Sequence, residues 1–313
     1  MPYNSLVART DAAALVPAEV ANNMLANLGN VGSAALALGT RIPVATNQTR
    51  FPVLSALPAA YWVTGDTGVK ETTQAAWANK YLNIEELATI VPIPENVLDD
   101  AGFDVWGAIQ PLMENAIARA FDAAVFFGTS APATFVTEGA IVTRAVAAGN
   151  VVARGTNAAA AGGLHGDISD LLGTLEADGY TPTGAVGNIT LRGRLRQVRA
   201  TTGEQMALAP DVPEVNYSAM QGMWPTGVNA AEAIVGDFRN LIIGVRRDMS
   251  YKLITEGVIT NGSGVIQYNL PQQDMVAMRL VFRAGYAVSN PLNYQQATEA
   301  SRYPFAILRS PAA

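Results

Sequence analysis

The strongest periodic pattern in the chain follows Asp104, where apolar residues recur at helical spacing as far as residue 124. The members of this stripe are Val105, Ile109, Leu112, Met113, Ala116, Ile117, Ala120, Phe121 and Ala124. The opposite face carries Glu114, Asn115, Arg119 and Asp122. This spacing predicts a long amphipathic helix with Asp104 as its N-cap. Pro111 is expected either to kink the helix or to mark where its regular part begins.

The pattern becomes strand-like between residues 41 and 91, with Pro43, Pro52 and Pro58 spaced through it. Because proline cannot donate a backbone hydrogen bond, such a strand must lie at a sheet edge or project from the body. The sequence GDTG at 65–68 supplies a turn. The segment is therefore predicted to double back as a hairpin.

Three large aromatic side chains, Tyr61, Trp62 and Trp77, lie along this predicted hairpin. Two strands alone are marginally stable in water, and these aromatics need surfaces to pack against. An ordinary surface hairpin of a globular domain is the simpler interpretation. We favour a projecting loop that is packed by a neighbouring subunit, with Tyr61, Trp62, Lys70, Glu71 and Trp77 as candidate intersubunit contacts.

The rest of the chain mixes helices and strands. A helix is predicted to start at Asp167, with Asp170 in its first turn and Gly179 at its end, and another to follow Thr190. Short apolar strands are predicted at 233–236 and 241–245, a hairpin at 251–270 around its Asn-Gly turn, and a last long strand at 275–288. Together with the long helix, this alternation predicts a mixed fold of the α+β kind.

The first forty residues have a different character. A helix is predicted from Pro17 to Gly29, while residues 1–16 contain only short apolar pieces. Those pieces are too few to form a core, so the segment is expected to be an arm that needs a partner surface.

Composition narrows the functional classes. Of the 313 residues, 50% are apolar and only 15% charged, against about 25% charged in soluble domains. Much of the chain should therefore be packed against its own core or against neighbouring subunits, and not exposed to water. No run approaches the roughly 20 apolar residues of a membrane span, and the N-terminus is not typical of a secretory signal. With no cysteine and a single histidine, disulfides and most transition-metal sites are excluded, and no cofactor is predicted.

Candidate catalytic chemistry is confined to His165, Asp167 and Ser169. They are adjacent at a predicted helix start, which points their side chains in different directions. The chain has no phosphate-binding loop and no nucleophile-elbow motif, so we predict that it is not an enzyme. Four arginines, Arg192, Arg194, Arg196 and Arg199, could contact nucleic acid. The net charge of −6 favours solvent or subunit contacts instead.

The order of these segments resembles that of the major capsid proteins of tailed bacteriophages, which have the Hong Kong 97-type fold. The similar pieces are PAEVANNML, then PAAYWVTGDTGVKETTQ, then LATIVPIPENVLDD leading to the long helix and FDAAVFFGTSAP. Further similar pieces are VGDFRNLIIGVRRDMSYKLI and the final QQDMVAMRLVFRAGYAVSNPLNY. The resemblance runs over nearly the whole chain and rests on the order and spacing of degenerate motifs.

This resemblance implies a set of domains. Residues 1–40 would be the N-terminal arm, 41–92 the extended loop, 93–160 the peripheral domain with its long spine helix, 161–252 the axial domain, and 253–313 the return to the peripheral domain. It also implies a shell protein that forms hexamers and pentamers and closes into an icosahedral capsid around double-stranded DNA. Assembly would take place in the host cytoplasm, without membrane contact or sequence-specific DNA binding.

Further partners implied by the resemblance are portal and decoration proteins. Because the arm begins almost at Met1, a separate scaffolding protein, or none, is expected. Some relatives join a loop lysine to a neighbour's asparagine, with Lys70 and either Asn290 or Asn293 as loose counterparts here. The surrounding motif does not match, so a salt bridge at the rim is the favoured role for Lys70. Two alternatives are an encapsulin-like nanocompartment shell and an α/β hydrolytic enzyme that uses His165.

Overall fold

The computed structural model describes residues 32–63, 70, 72–102, 104–199, 204, 212–217 and 219–311. Its helices are α1 (Ala34–Leu38), α2 (Glu95–Asp100), α3 (Val105–Asp122), α4 (Ala133–Glu138), α5 (Ile141–Ala148), α6 (Leu164–Ala177) and α7 (Ile189–Gln197). A π-helical turn, Ala123–Phe127, extends α3, and short 3-10 turns occur at Ala159–Ala161, Phe238–Asn240 and Glu299–Ser301. The predicted arm helix between Pro17 and Gly29 lies outside the described residues.

The strands are β1 (Thr40–Pro43), β2 (Gln48–Ala56), β3 (Ala76–Asn83), β4 (Glu85–Pro94), β5 (Val151–Ala153), β6 (Gly184–Gly187), β7 (Val215–Asn216), β8 (Ala231–Gly236), β9 (Leu241–Ile254), β10 (Val258–Thr260), β11 (Ile266–Asn269), β12 (Met275–Val288) and β13 (Phe305–Arg309). They form a four-stranded sheet in the order β1-β9-β12-β4 and a five-stranded sheet in the order β5-β13-β8-β6-β7. Two pairs, β2-β3 and β10-β11, stand as separate two-stranded sheets.

The long helix α3 packs on the four-stranded sheet. Its first turn is capped as predicted, because the Asp104 carboxylate accepts a hydrogen bond from the Gly107 amide at 3.0 Å. Phe121 meets Phe282 of β12 edge to face, with ring centroids 5.9 Å apart. The helix begins at Val105 and continues through Pro111, so the expectation that Pro111 marks its regular start is wrong.

The buried stripe of α3 is narrower than the predicted one. Met113, Ile117 and Phe121 are buried, whereas Ala116 and Ala120 are exposed. Asp122, which the pattern assigns to the polar face, is 1% exposed. Since a carboxylate is not buried without partners, this residue must serve a specific contact, described below.

The second sheet is covered by α6 and α7. Ile168, Leu171, Leu172 and Leu175 of α6 form its buried face, as the sequence predicted. The start of α6 was predicted incorrectly, because the helix begins at Leu164 after Gly163. Asp167 is instead buried in the first turn, where its carboxylate accepts hydrogen bonds from the amides of Gly155 (2.7 Å) and Asn157 (2.8 Å).

The strand pairings connect segments that the sequence assigned to different domains. The 14-residue strand β9, assigned to 161–252, pairs with β12 and β1 in the four-stranded sheet. The strand β13, assigned to the return segment 253–313, pairs with β5 and β8 in the other sheet. The chain therefore passes between the sheets more often than the order of motifs implies. The domain division itself stays a prediction.

Candidate intersubunit surface

The candidate surface is the hairpin made by β2 and β3. The two strands pair antiparallel from Gln48↔Asn83 to Ala56↔Ala76, so the chain doubles back in this segment as predicted. The predicted GDTG turn and Glu71 lie outside the described residues.

The outer part of this hairpin carries exposed aromatic rings. Trp62 is 99% exposed and Trp77 is 66% exposed, while Tyr61 and Tyr81 are about half exposed. Lys70 is also exposed. Within one subunit, the Trp62 ring is almost uncovered and the Trp77 ring is mostly exposed, although rings of this size strongly favour removal from water.

The base of the hairpin is held firmly. Leu82 and Ile84 are buried with Val44 of the β1–β2 connection and Ala287 of β12. The Ile84 amide also donates to the Asn47 carbonyl at 2.8 Å. The chain around residues 82–84 is therefore part of the folded body, and the hairpin extends from it.

Beyond its base, few hydrogen bonds and ion pairs join the described part of the hairpin to the body. The Leu292 amide donates to the Leu54 carbonyl at 3.2 Å, and the Tyr294 hydroxyl donates to the Pro58 carbonyl at 3.2 Å. The Lys80 ammonium lies 4.0 Å from the Glu138 carboxylate. A cavity of about 380 Å³ lies here and is lined in part by Lys80 of the hairpin and by Glu138 and Arg302 of the body. Such sparse contacts favour a projecting element.

Asp122 at the end of α3 fixes residues 33–35 to the body. Its carboxylate accepts hydrogen bonds from the Ser33 hydroxyl, from the Ala34 amide (2.7 Å) and from the Ala35 amide (3.1 Å). These amides open α1, so the buried carboxylate satisfies donors that the helix leaves free. Burial raises the pKa of Asp122 to about 6, although the three hydrogen bonds lower it in part.

We expect stability to depend on pH through Asp122. Because the folded pKa of about 6 lies above the unfolded value of 3.8, the folded state binds this proton more tightly. The contribution of Asp122 should therefore improve as pH falls from 7 to 4, by on the order of 3 kcal/mol in total. The measurement is the free energy of unfolding of the parent minus that of Asp122→Asn across this range. A difference that shrinks as pH falls would show that the hydrogen bonds outweigh burial.

A buried polar network centred on Asn290 and Arg302 lies beside the hairpin. The Arg302 guanidinium, in a residue that is 2% exposed, donates to the Asn290 side-chain oxygen (3.0 Å), the Asn290 carbonyl (3.2 Å) and the Gln296 carbonyl (2.6 Å). Asn290 donates to the Arg302 carbonyl at 2.7 Å and accepts from the Tyr180 hydroxyl at 2.7 Å. The side-chain amide of Asn290 is thus engaged in hydrogen bonds within its own chain, which argues against Asn290 as a cross-link acceptor.

Asn293, the other suggested acceptor, is also engaged within its own chain. Its side-chain amide donates to the Asp178 carbonyl at 2.7 Å, and its side-chain oxygen accepts from the amides of Gln295 and Gln296. The arrangement closes the loop after β12 and holds the Asn293 side chain within its own chain. A rim salt bridge stays the predicted role for Lys70.

The residues suggested for hydrolytic chemistry are not arranged as a triad. The Asp167 carboxylate is used by the Gly155 and Asn157 amides, and Ser169 is exposed. In the described residues, the buried His165 Nδ1 atom has no hydrogen-bond partner. Partial burial lowers the pKa of His165. A general base needs a nucleophile within hydrogen-bond reach and a third group to orient it, and neither contact is formed.

In the described part of the chain, no group of three or more histidine, cysteine or acidic side chains is placed to hold a metal ion. No helix among the described residues is both long and apolar enough to cross a membrane.

Comparison with known families decides the class of protein. The model of the phage capsid family matches residues 7–293, which is most of the chain. The chain belongs to the phage capsid family. The surface described above is therefore that of a capsid protein, a subunit that assembles with copies of itself, and its place is in the shell of a phage particle.

Individual relatives of this capsid protein agree with the family match. It is 22% identical over 261 residues to the major capsid protein of Staphylococcus phage 80alpha, covering 82% of this chain and 77% of that one. A solved structure from Microbacterium phage Oxtober96 is 34% identical, with a TM-score of 0.83 and coverage of 98% and 100%. Another from Mycobacterium phage Bobi is 31% identical, with a TM-score of 0.84 and coverage of 99% and 100%.

These findings confirm the resemblance to tailed-phage major capsid proteins and the α+β fold class predicted from the sequence. The intersubunit roles of Tyr61, Trp62, Lys70, Glu71 and Trp77 stay predictions. Sequence reasoning missed the Ser33–Asp122 contact and the Asn290–Arg302 network. The one available signal was the presence of polar residues inside otherwise apolar patterns, and it does not identify their partners.

Proposed function

We propose that this capsid protein builds an icosahedral shell of hexamers and pentamers around double-stranded DNA, and that the β2–β3 hairpin contacts a neighbouring subunit. The single observation that carries the proposal is the 99% exposure of Trp62 on a hairpin whose buried cluster of apolar residues lies at its base. Buried aromatic residues are typical energetic centres of protein interfaces. Every copy in a shell would carry this exposed indole ring. Another copy of the chain is therefore the simplest partner to cover it.

The arm is proposed to act with the hairpin. Residues 1–16 have too few apolar side chains for a core of their own, and the chain joins the body where Asp122 holds the start of α1. Each subunit would then give two segments to its neighbours. Contacts that are individually weak become a stable shell when they repeat around closed rings.

Other partners follow from this role. Packaged DNA would be enclosed without sequence-specific contacts, consistent with the net charge of −6. A separate scaffolding protein, a portal and decoration proteins are proposed partners, with assembly in the host cytoplasm. The nanocompartment alternative is not favoured, since both the family match and the curated relative are phage capsid proteins.

A His165→Ala variant is expected to form the same particles as the parent, in the same yield per folded subunit. His165 makes no described contact with Asp167 or Ser169, so its loss removes no arrangement that assembly or catalysis would need. Particle yield and melting temperature should be measured on the same preparations. Normal folding with failed assembly would give His165 a role that this proposal denies.

Electron microscopy of the purified, negatively stained protein tests the proposal most simply. Rings of five or six subunits, or closed shells, are the expected result. A protein that stays monomeric across a range of concentrations and salt conditions would contradict it.

A further inference from the structure

Two glycines face each other where the hairpin leaves the four-stranded sheet. Gly285 of β12 is paired with Gly244 of β9. The next residue along β12 toward its start, Ala284, makes the last pair with β4, at Glu85. Immediately before Glu85, the chain stops pairing with β12 and crosses onto the face of the sheet. The glycine pair lies at this crossing.

The crossing chain lies directly on Gly285. A Cβ atom at this position would be 1.8 Å from the carbonyl oxygen of Asn83, and 3.3 Å from the Cα of Ile84. Non-bonded carbon and oxygen atoms approach to roughly 3.3 Å even in favourable contacts. Because the obstructing atoms are backbone, a side-chain rotation cannot make room. Any residue other than glycine would force the crossing chain away from the sheet.

Gly244 is also covered, but by side chains. A Cβ atom there would be 2.5 Å from a methyl carbon of Leu82, 2.9 Å from one of Val44, and 3.2 Å from one of Ile84. These three side chains belong to the buried cluster at the base of the hairpin. Leu82 is 2% exposed, so the cluster is closely packed over the glycine.

We propose that Gly244 and Gly285 form a seat that sets the direction in which the hairpin leaves the body and so positions Trp62 and Trp77 for a neighbouring subunit. The positioning of the two tryptophans rests on the proposed function, while the seat itself does not. The absence of two Cβ atoms brings the chain at 82–84 flat against the sheet. Residues 82 and 83 are the end of β3, and β2 pairs with β3 through Gln48↔Asn83 and Thr49↔Leu82, so a shift at the seat is carried along the hairpin.

The first test is hydrogen exchange on Gly285→Ala, Gly244→Ala and the control Gly173→Ala. Gly173 is exposed on α6 and a Cβ atom there meets nothing within 4 Å. We expect amides of residues 76–84 to exchange about tenfold faster or more in Gly285→Ala, less so in Gly244→Ala, and unchanged in the control. Amides of α3 should keep their protection in all three. Parent-like exchange at 76–84 in both seat variants would overturn the proposal.

The second test uses Leu82→Ala, because its side chain is the nearest obstacle to a Cβ atom at Gly244. In the double variant Gly244→Ala/Leu82→Ala, the added methyl group fills space that Leu82 vacates. Its loss of stability should therefore be clearly smaller than the sum of the two single losses. Strict additivity would overturn the seat at Gly244. This cycle remains informative if Gly285→Ala does not fold.

Measuring particle yield for the same variants tests the seat and the proposed function separately. Faster exchange at 76–84 together with reduced assembly is the expected result. Faster exchange with normal shells would leave the seat standing but would contradict the clasping role of the hairpin. Normal exchange with failed assembly would contradict the seat alone.

Discussion

Replacing Trp62 with alanine is expected to leave the subunit folded and to reduce shell assembly strongly. In the single subunit the side chain is 99% exposed, so its removal should change the free energy of unfolding by no more than about 0.5 kcal/mol. If the ring is buried on a neighbour, its loss should weaken each contact by about 2 kcal/mol or more. Because the contact repeats around the shell, the subunit concentration needed for assembly should rise at least about tenfold.

The matched control for this experiment is Trp224→Phe. Trp224 is buried, and in the described residues its indole nitrogen has no hydrogen-bond partner. This variant should lose roughly 1–3 kcal/mol of stability as packing is disturbed, while its folded subunits still assemble. Trp62→Ala is thus expected to impair assembly but not folding, and Trp224→Phe is expected to reduce stability but not the assembly of folded subunits. Trp62→Ala subunits that close into shells at the parent's concentration would contradict the intersubunit role.

Replacing Arg302 with alanine is expected to cause a large loss of stability. The guanidinium donates three hydrogen bonds, to the Asn290 side-chain oxygen and to the carbonyls of Asn290 and Gln296. The Tyr180 hydroxyl also donates to the Asn290 side-chain oxygen, so removal of Arg302 deprives the two carbonyls of their donor, and each unsatisfied group costs about 1–3 kcal/mol. We expect a total loss of roughly 3–5 kcal/mol, against the 5–15 kcal/mol that a typical fold has in total.

Urea denaturation of Arg302→Ala beside Arg196→Ala measures this effect. Arg196 is an exposed arginine on α7, and its loss should change stability by no more than about 0.5 kcal/mol. The comparison removes the same chemical group from a buried network and from water. If the two variants unfold at the same urea concentration, the network around Arg302 does not stabilise the fold.

The elements that could be predicted from the sequence are those whose pattern is local. The spine helix α3 shows its apolar spacing and its Asp104 cap within one stretch of chain, and β12 was predicted with its observed bounds, Met275–Val288. The hairpin was predicted from prolines and a turn that act within a few residues. In each case, residues that are close together in the sequence show which face of the element is buried.

What could not be predicted depends on residues far apart in the chain. Asp122 was assigned to a solvent face because its partners, Ser33 to Ala35, lie nearly ninety positions away. Gly244 and Gly285 give no local signal, since the chain that covers them comes from residues 82–84. Which sheets β9 and β13 join could not be predicted for the same reason, because their partner strands are distant in the chain. Strand pairing between distant segments is set by the whole fold.

The most direct test of the clasping account is the position of the hairpin in an assembled particle. A cryo-electron microscopy map of shells formed by the purified protein should show Trp62 and Trp77 covered by an adjacent subunit, with residues 82–84 still seated on Gly244 and Gly285 of their own chain. Shells in which both indole rings face solvent, or are covered by their own subunit, would contradict the account.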